Sequence, residues 1–231
     1  MESEATHVKS LPSGAAQVVD LSDADDPRWA GVVTLAPLCD LPWISAARHD
    51  VYVLRGSVTE AGTEYGEGTF ISRDHRSGLA ASGQGAMLLV YRDQFAAGGG
   101  NHTLPAAAQR WYPGRVDGMS ATLLSEHHHR LILVRWKPGT RARMHQHPWG
   151  EEIYVLEGVL QDQRGRYPAG SWQRLRADSA HAPFAEEDTL IMLRNGHLRD
   201  EYLPLRLQAR RRSRFIESDQ APQATIKENA A

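Results

Sequence analysis

Cysteine is almost missing from this chain: Cys39 is the single one among 231 residues. A lone cysteine excludes an intrachain disulfide and any zinc knuckle of paired thiolates, and it suits a reducing compartment. Long apolar runs are missing too. Nothing approaches the ~18 consecutive apolar residues of a membrane-crossing helix. The opening MESEATHVKSLPSG carries acidic residues and no apolar stretch, so no secretory signal is read there. A cytoplasmic location with no membrane partner is the expectation. Nor is one sign of charge in excess, since 26 Lys and Arg face 28 Asp and Glu for a formal net charge of -2. That balance gives no overall attraction to nucleic acid. Helical periodicity is scarce, with one candidate at Glu201 to Phe215, broken early by Pro204.

What is present is an ordinary globular composition, 41% hydrophobic and 23% charged, in a chain long enough for two small domains. An internal repeat points the same way. HDVYVLRG (His49 to Gly56) and EEIYVLEG (Glu151 to Gly158) align at an offset of 102, placing Tyr52, Val53, Leu54 and Gly56 on Tyr154, Val155, Leu156 and Gly158. The same offset carries Tyr65 onto Tyr167, Gly68 onto Gly170, Ser77 onto Ser179, Leu88 onto Leu190 and Arg92 onto Arg194. A period of that length means two copies of one domain, because solenoid units run ~20–50 residues. Each copy reads as β: runs such as RLILVRW, EEIYVLEGVLQD and TLIMLRN are short, apolar and β-branched, with Gly and Pro turns between them. The expectation is an all-β protein of two tandem barrels. A flexible segment at 1–18 precedes a first barrel at 19–95; a small-residue linker at 96–107 leads to a second barrel at 108–204 and an Arg-rich tail at 205–231.

The stretch HQHPWGEEIYVLEG carries the chemistry. In a strand, residues i and i+2 face the same side, so His145 and His147 project together as a two-toothed chelate. The PWG bend can return the carboxylate of Glu151 toward the same point, and His181, thirty residues further on, can arrive from a neighbouring strand. Three imidazoles and a carboxylate suit Fe, Mn, Co, Ni or Zn, and differ from a thiolate site. At the repeat offset these four positions become Trp43, Ser45, His49 and Leu79, so the first copy is expected to lack the metal. A rival reading pairs His49 with His75 in a weak site of their own.

Gly139, His145, His147, Glu151 and Gly158 satisfy G-x5-H-x-H-x3-E-x6-G, which resembles the first signature of the cupins. The second signature is met in part by PAG at 168–170 and by His181, with a departure at Leu175 and Arg176, where proline is usual. More narrowly, RWKPGTRARMHQHPWGEEIYVLEGVLQDQRGRYPAGSW is similar to the cupin-like domain of the ChrR type, found in zinc-binding anti-sigma factors and in stand-alone dioxygenases that cleave acetylacetone. The resemblance implies a jelly-roll (double-stranded β-helix) barrel holding one divalent metal, Fe(II) or Zn(II) first and Mn, Ni or Co next, on His145, His147, Glu151 and His181. It also implies a non-haem dioxygenase acting on a small diketone, enol or phenolic ketone, with Glu151 a ligand that can act as base. Strand alternation nominates Ile153, Val155 and Met192 as the apolar lining of the substrate pocket, with Trp149 and Trp172 beside them.

The alternative is a zinc-binding regulator or small-molecule sensor of the anti-sigma-factor kind, with a sigma factor as partner. The N-terminus offers no His and Cys cluster for that role. A metal-dependent isomerase or epimerase shares the fold and stays open. A homodimer is expected because cupin barrels often pair through their sheets. His127, His128 and His129 read as a solvated hairpin turn, and Arg210, Arg211, Arg212 and Arg214 as a solvated extension.

Overall fold

The computed structural model describes residues 7–10, 15–22, 28–41, 48–74, 78–93, 100–126 and 129–198. Their regular structure is antiparallel β, apart from a 3-10 turn at Ala106–Ala108, and no helix among them is long and apolar enough to cross a membrane. The helix candidate Glu201 to Phe215, the arginine tail, Trp43, Ser45, His75, His127 and His128 lie outside the described residues.

In the N-terminal half, β1 (His7–Ser10), β2 (Ala16–Asp20), β3 (Arg28–Leu35), β4 (Arg48–Glu60), β5 (Thr63–Gly66), β6 (Phe70–Arg73), β7 (Ala80–Asp93) and β8 (His102–Leu104) form one sheet. Its order is β1-β2-β3-β7-β4-β6-β8, with β5 folded back onto β4. β8 falls inside the segment expected to be a linker; pairing of Leu104 with Phe70 and of His102 with Ser72 makes it an edge strand instead.

The C-terminal half contributes β9 (Tyr112–Pro113), β10 (Met119–Glu126), β11 (Arg130–Trp136), β12 (His145–His147), β13 (Glu151–Glu157), β14 (Val159–Asp162), β15 (Gly165–Pro168), β16 (Trp172–Leu175), β17 (Ser179–His181) and β18 (Thr189–Asn195). Six of these make a sheet in the order β16-β13-β18-β11-β10-β9, while β12 pairs with β17 and β14 with β15. Bridges from Phe184 to Arg141 and Gln161 join the two small sheets into a second wall. Between the walls, Val134, Ile153, Val155 and Ile191 of the large sheet meet Leu160 and Ala185 of the other. Gly158 makes the turn between β13 and β14 at φ 71°, where a Cβ would stand 2.2 Å from the carbonyl of Asp188; Gly56 takes the same conformation, with 2.3 Å to the carbonyl of Gly85.

The other face of the six-stranded sheet is covered as well. Leu131, Leu133, Tyr154, Leu190 and Met192 pack into one cluster with Ala30, Tyr52, Phe70, Leu89 and Tyr91 of the N-terminal sheet. The sequence repeat holds through much of this arrangement. Tyr52 and Tyr154 share that cluster, Val53 and Val155 sit in the separate cores of their own halves, and β5 and β6 stand 102 residues before β15 and β16. It fails in the last strand. Val51 pairs with Val90, but Ile153 pairs with Leu193 rather than with residue 192. That one-residue slip exchanges faces, so Leu88 lies in the core of its own half whereas Leu190 lies between the sheets.

Charged groups are buried at the same junction. Glu152, fully buried, takes Arg174 Nε at 2.6 Å and Nη2 at 2.5 Å, His197 Nε2 at 2.9 Å and Arg194 Nη1 at 3.6 Å. From the N-terminal half, Arg28 Nη1 donates to the carbonyl of His197 at 2.9 Å, and Arg194 lies over the ring of Tyr91. Asp50 accepts from Ser72 Oγ at 2.5 Å and faces Arg48 and His129, each at 3.6 Å. The solvated-turn expectation for His129 is therefore overturned: its ring is buried against a carboxylate of the other half. Burial opposes the charge on Glu152, but the His197 donor and the two guanidinium groups overcome it and hold the carboxyl well below its usual range. Burial pushes His197 down to about 3, with Glu152 countering only in part, so the ring is uncharged near neutrality. Burial likewise opposes Asp50, yet His129, Arg48 and Ser72 bring it to about 2.

These shifts have the same sign for stability. The unfolded chain takes up protons that the folded His197 and Asp50 refuse, so the His197 contribution is complete above pH 6.5 and lost as pH falls toward 3, and that of Asp50 is complete above pH 3.8 and lost toward pH 2. Thermal unfolding followed between pH 7 and pH 4 is expected to show a falling midpoint. Glu152→Ala, which strands two arginines without their carboxylate, is expected to cost on the order of 3–5 kcal/mol in denaturant unfolding.

Candidate metal centre

β12 lies antiparallel to β17 with His145 opposite His181 and His147 opposite Ser179. Because i and i+2 share a face, that register brings three imidazoles to one point from two strands. Their ring centroids are 4.9 Å apart for each of the three pairs, at interplanar angles of 62–74°. One ring nitrogen of each lies within 4.8 Å of the others.

The partners of the remaining nitrogens say which atoms converge. His145 Nδ1 lies 2.8 Å from the carbonyl of Arg143, which can only accept, so Nδ1 carries the proton and Nε2 is the lone-pair donor. His181 Nδ1 faces the carboxylate oxygen Asp162 Oδ2 at 3.5 Å, a neighbour whose charge favours a proton on Nδ1. His147 Nδ1 faces Glu151 Oε2 at 3.2 Å, and its Nε2 is buried with no hydrogen-bond partner. Three Nε2 lone pairs, one of them orphaned in a buried site, fit a divalent ion of the Fe or Zn kind. Burial, reinforced by His147 and His145, pushes His181 down to about 4, so it stays neutral and able to ligate at ordinary pH.

Glu151 is brought to the cluster's side, with Oε1 3.8 Å from His181 Nε2 and its side chain buried. Gly150 at φ 68° makes this approach possible: a Cβ there would stand 2.8 Å from the carbonyl of Leu175 and 2.5 Å from Leu198. Sequence reasoning missed Asp162. Its Oδ1 accepts from the amides of Arg164 (2.7 Å) and Gly165 (3.2 Å) and from the Tyr167 hydroxyl (3.1 Å), which leaves Oδ2 aimed at His181. The QDQRG turn announces an aspartate that folds onto its own backbone, but not the histidine behind it.

A cavity of about 1020 Å³ opens over the cluster. His145, His147, His181, Glu151, Ile153 and Trp149 all line it. Val155 belongs to the core behind that lining. Met192 and Trp172 are corrections, because both face the other side of the sheet. Met192 is opposite Tyr154 in the ladder, so it shares Tyr154's face and packs between the two sheets. Trp172 is also opposite Tyr154 and lies 6.1 Å from Tyr91, centroid to centroid. Ile191 and Leu193, opposite Val155 and Ile153, take the expected place of Met192 in the wall. In the N-terminal half, His49 and Leu79 are buried, and Leu79 is a core residue.

Residues 100–199 match the ChrR cupin-like domain. The chain is also similar in fold to solved structures. A candidate dioxygenase of Nostoc punctiforme superposes with a TM-score of 0.67 at 16% identity, over 81% of this chain and 76% of that one. The Ylba protein of E. coli gives 0.65 at 13% identity, over 82% and 86%. A single-substitution mutant of Bacillus subtilis oxalate decarboxylase gives 0.62 at 13%, over 83% and 75%. Identities this low establish a shared fold and nothing further. No curated protein matches the chain in sequence.

Two measurements test the cluster. His145→Ala with His147→Ala is expected to abolish stoichiometric divalent metal by elemental analysis while leaving the β circular dichroism intact. Asp162→Asn keeps the turn's acceptor but can present an amide N–H to His181 Nδ1, which favours the wrong tautomer; metal affinity is expected to fall about 10–100-fold.

Proposed function

We propose that this protein is a metal-dependent cupin enzyme of the non-haem dioxygenase type, acting on a diketone, an enol or a phenolic ketone. The observation that carries the reading is the convergence of three imidazole nitrogens beside a buried carboxylate on the wall of a largely apolar cavity. His145, His147 and His181 would hold the ion, with Glu151 as a further ligand or as base. Fe(II) or Zn(II) suits these donors best, and Mn, Ni or Co is compatible. When bound, such an ion supplies Lewis acidity and, as Fe(II), redox capacity toward an enolisable substrate and dioxygen.

The chain's own groups prepare the substrate. Glu151, within reach of two imidazoles and shielded from bulk water, can take the proton released when a ketone enolises. Ile153, Ile191 and Leu193 exclude water around that charge and strengthen its attraction to the site. The Arg143 carbonyl and the Asp162 carboxylate face Nδ1 of His145 and of His181, which orients those two rings toward the site. The fold shared with the Nostoc punctiforme protein supports this reading by analogy.

The second reading, a zinc-binding regulator or sensor without catalysis, is favoured by the match of residues 100–199 to the ChrR cupin-like domain. Against it, the described N-terminal half is a β-sheet backing the metal-bearing half. The working partner is then a small molecule rather than a sigma factor, and a homodimer is the proposed assembly. Protein loaded anaerobically with Fe(II) is expected to consume oxygen with at least one member of a panel of β-diketones and phenolic ketones. No uptake, together with tightly held zinc in protein from its native host, would establish the sensor instead.

A further inference from the structure

The cavity is too large and too apolar for the small diketone expected from the sequence. Sites for drug-sized ligands run ~300–1,000 Å³, and this one is about 1020 Å³. A ligand the size of acetylacetone would leave most of the space to water against hydrocarbon. Beyond the histidines, Ile132, Val134, Ile191 and Leu193 give the wall an apolar stretch. The apolar surface also continues outward. Among the described residues six large hydrophobic side chains are exposed, and four of them, Tyr112 (60%), Leu123 (43%), Met144 (59%) and Trp149 (50%), line this one cavity. Exposure gathered at one mouth marks a binding surface, whereas single apolar residues scattered over a protein do not.

Charge narrows the ligand further. Arg115, Arg130 and Arg143 line the cavity against Glu126 and Glu151, and a divalent ion on the three imidazoles would add to the positive balance. An anion is drawn in, and its charged end is best placed at the histidines, with Ile153, Ile191 and Leu193 offering apolar surface beside them.

We propose that the cavity binds an amphipathic acid: an oxygen-anion head at His145, His147 and His181, and an extended apolar body running along Ile191 and Leu193 to Trp149 and Met144. This rests on the metal-centre reading for the head and on the cavity alone for the body. The ligand is therefore a long-chain or polycyclic acid or enol.

The two parts are tested together with straight-chain carboxylates from butyrate to decanoate, kept below micelle-forming concentrations and titrated calorimetrically into the zinc-loaded full chain. Affinity is expected to rise about fourfold per methylene over several steps, the equivalent of ~0.8 kcal/mol per buried CH₂. Met144→Ala with Trp149→Ala, both at exposed positions, is expected to weaken decanoate tenfold or more and leave butyrate unchanged. His145→Ala with His147→Ala should weaken the whole series and keep its slope. A flat series, or decanoate binding untouched by the rim variant, overturns the apolar body even where metal binds stoichiometrically. A steep series in a protein that takes up no metal overturns the metal-centre reading and upholds the body. Should sedimentation show that the rim variant dissociates a dimer while the series stays flat, the rim is a contact between copies and the proposal falls.

Discussion

Glu151 and Glu152 are neighbours on β13 and point to opposite faces of one sheet, and the rest of the structure depends on that alternation. Glu151 faces the cavity beside His147 and His181. Glu152 faces the N-terminal sheet and is locked by Arg174, Arg194 and His197. A slip of one residue would exchange them. The carboxylate now held by guanidinium groups would face imidazoles, and Arg174 and the buried Arg194 would lose the Glu152 carboxylate, at a cost of several kcal/mol. The buried ion network therefore fixes the register that delivers Glu151 to the histidines.

The two carboxylates are equally enclosed but have different partners. Guanidinium groups do not titrate, so the Glu152 side is a fixed charge pattern across a wide pH range. Imidazoles do titrate, and on the cavity side burial keeps His181 neutral, which leaves its lone pair available for an ion. One face of the strand is built to be permanent and the other to be exchangeable. The N-terminal half contributes through the permanent face: Tyr91 under Arg194, Arg28 on the His197 carbonyl and Asp50 against His129 all act on the back of the sheet that carries Glu151.

The histidines were legible in the sequence because their signal is local. His145 and His147 need only strand alternation to share a face, and a bend with Gly150 places Glu151 near them. His181 needed the motif, since spacing alone does not reveal that it lies opposite His145. Met192 and Trp172 were misplaced for a definite reason. β13 and β18 are buried on both faces, so EEIYVLE and TLIMLRN read as nearly continuous apolar runs, and nothing local says which alternate set faces the cavity. The repeat held part of the answer: Trp172 falls at the offset from Phe70, and both pack between the sheets. For Met192 the offset misleads, because the register of β18 on β13 differs by one from that of β7 on β4. Asp162, His197 and His129 act on residues distant in the chain, and composition gives no sign of such pairings.

Double burial also explains why the histidines stand on short strands outside the large sheet. A sheet covered on one side by a second sheet and on the other by a hydrocarbon wall has rigid side chains and little room for a water-exchanging ion. β12 and β17 are three residues each and bridge to the neighbouring wall through Phe184. The large sheet offers them Glu151 and an apolar surface, while the short pair brings the three imidazoles to the cavity wall, where a ligand can reach them. Positioning is supplied by the rigid wall and access by the short one, and the chemistry sits where the two meet.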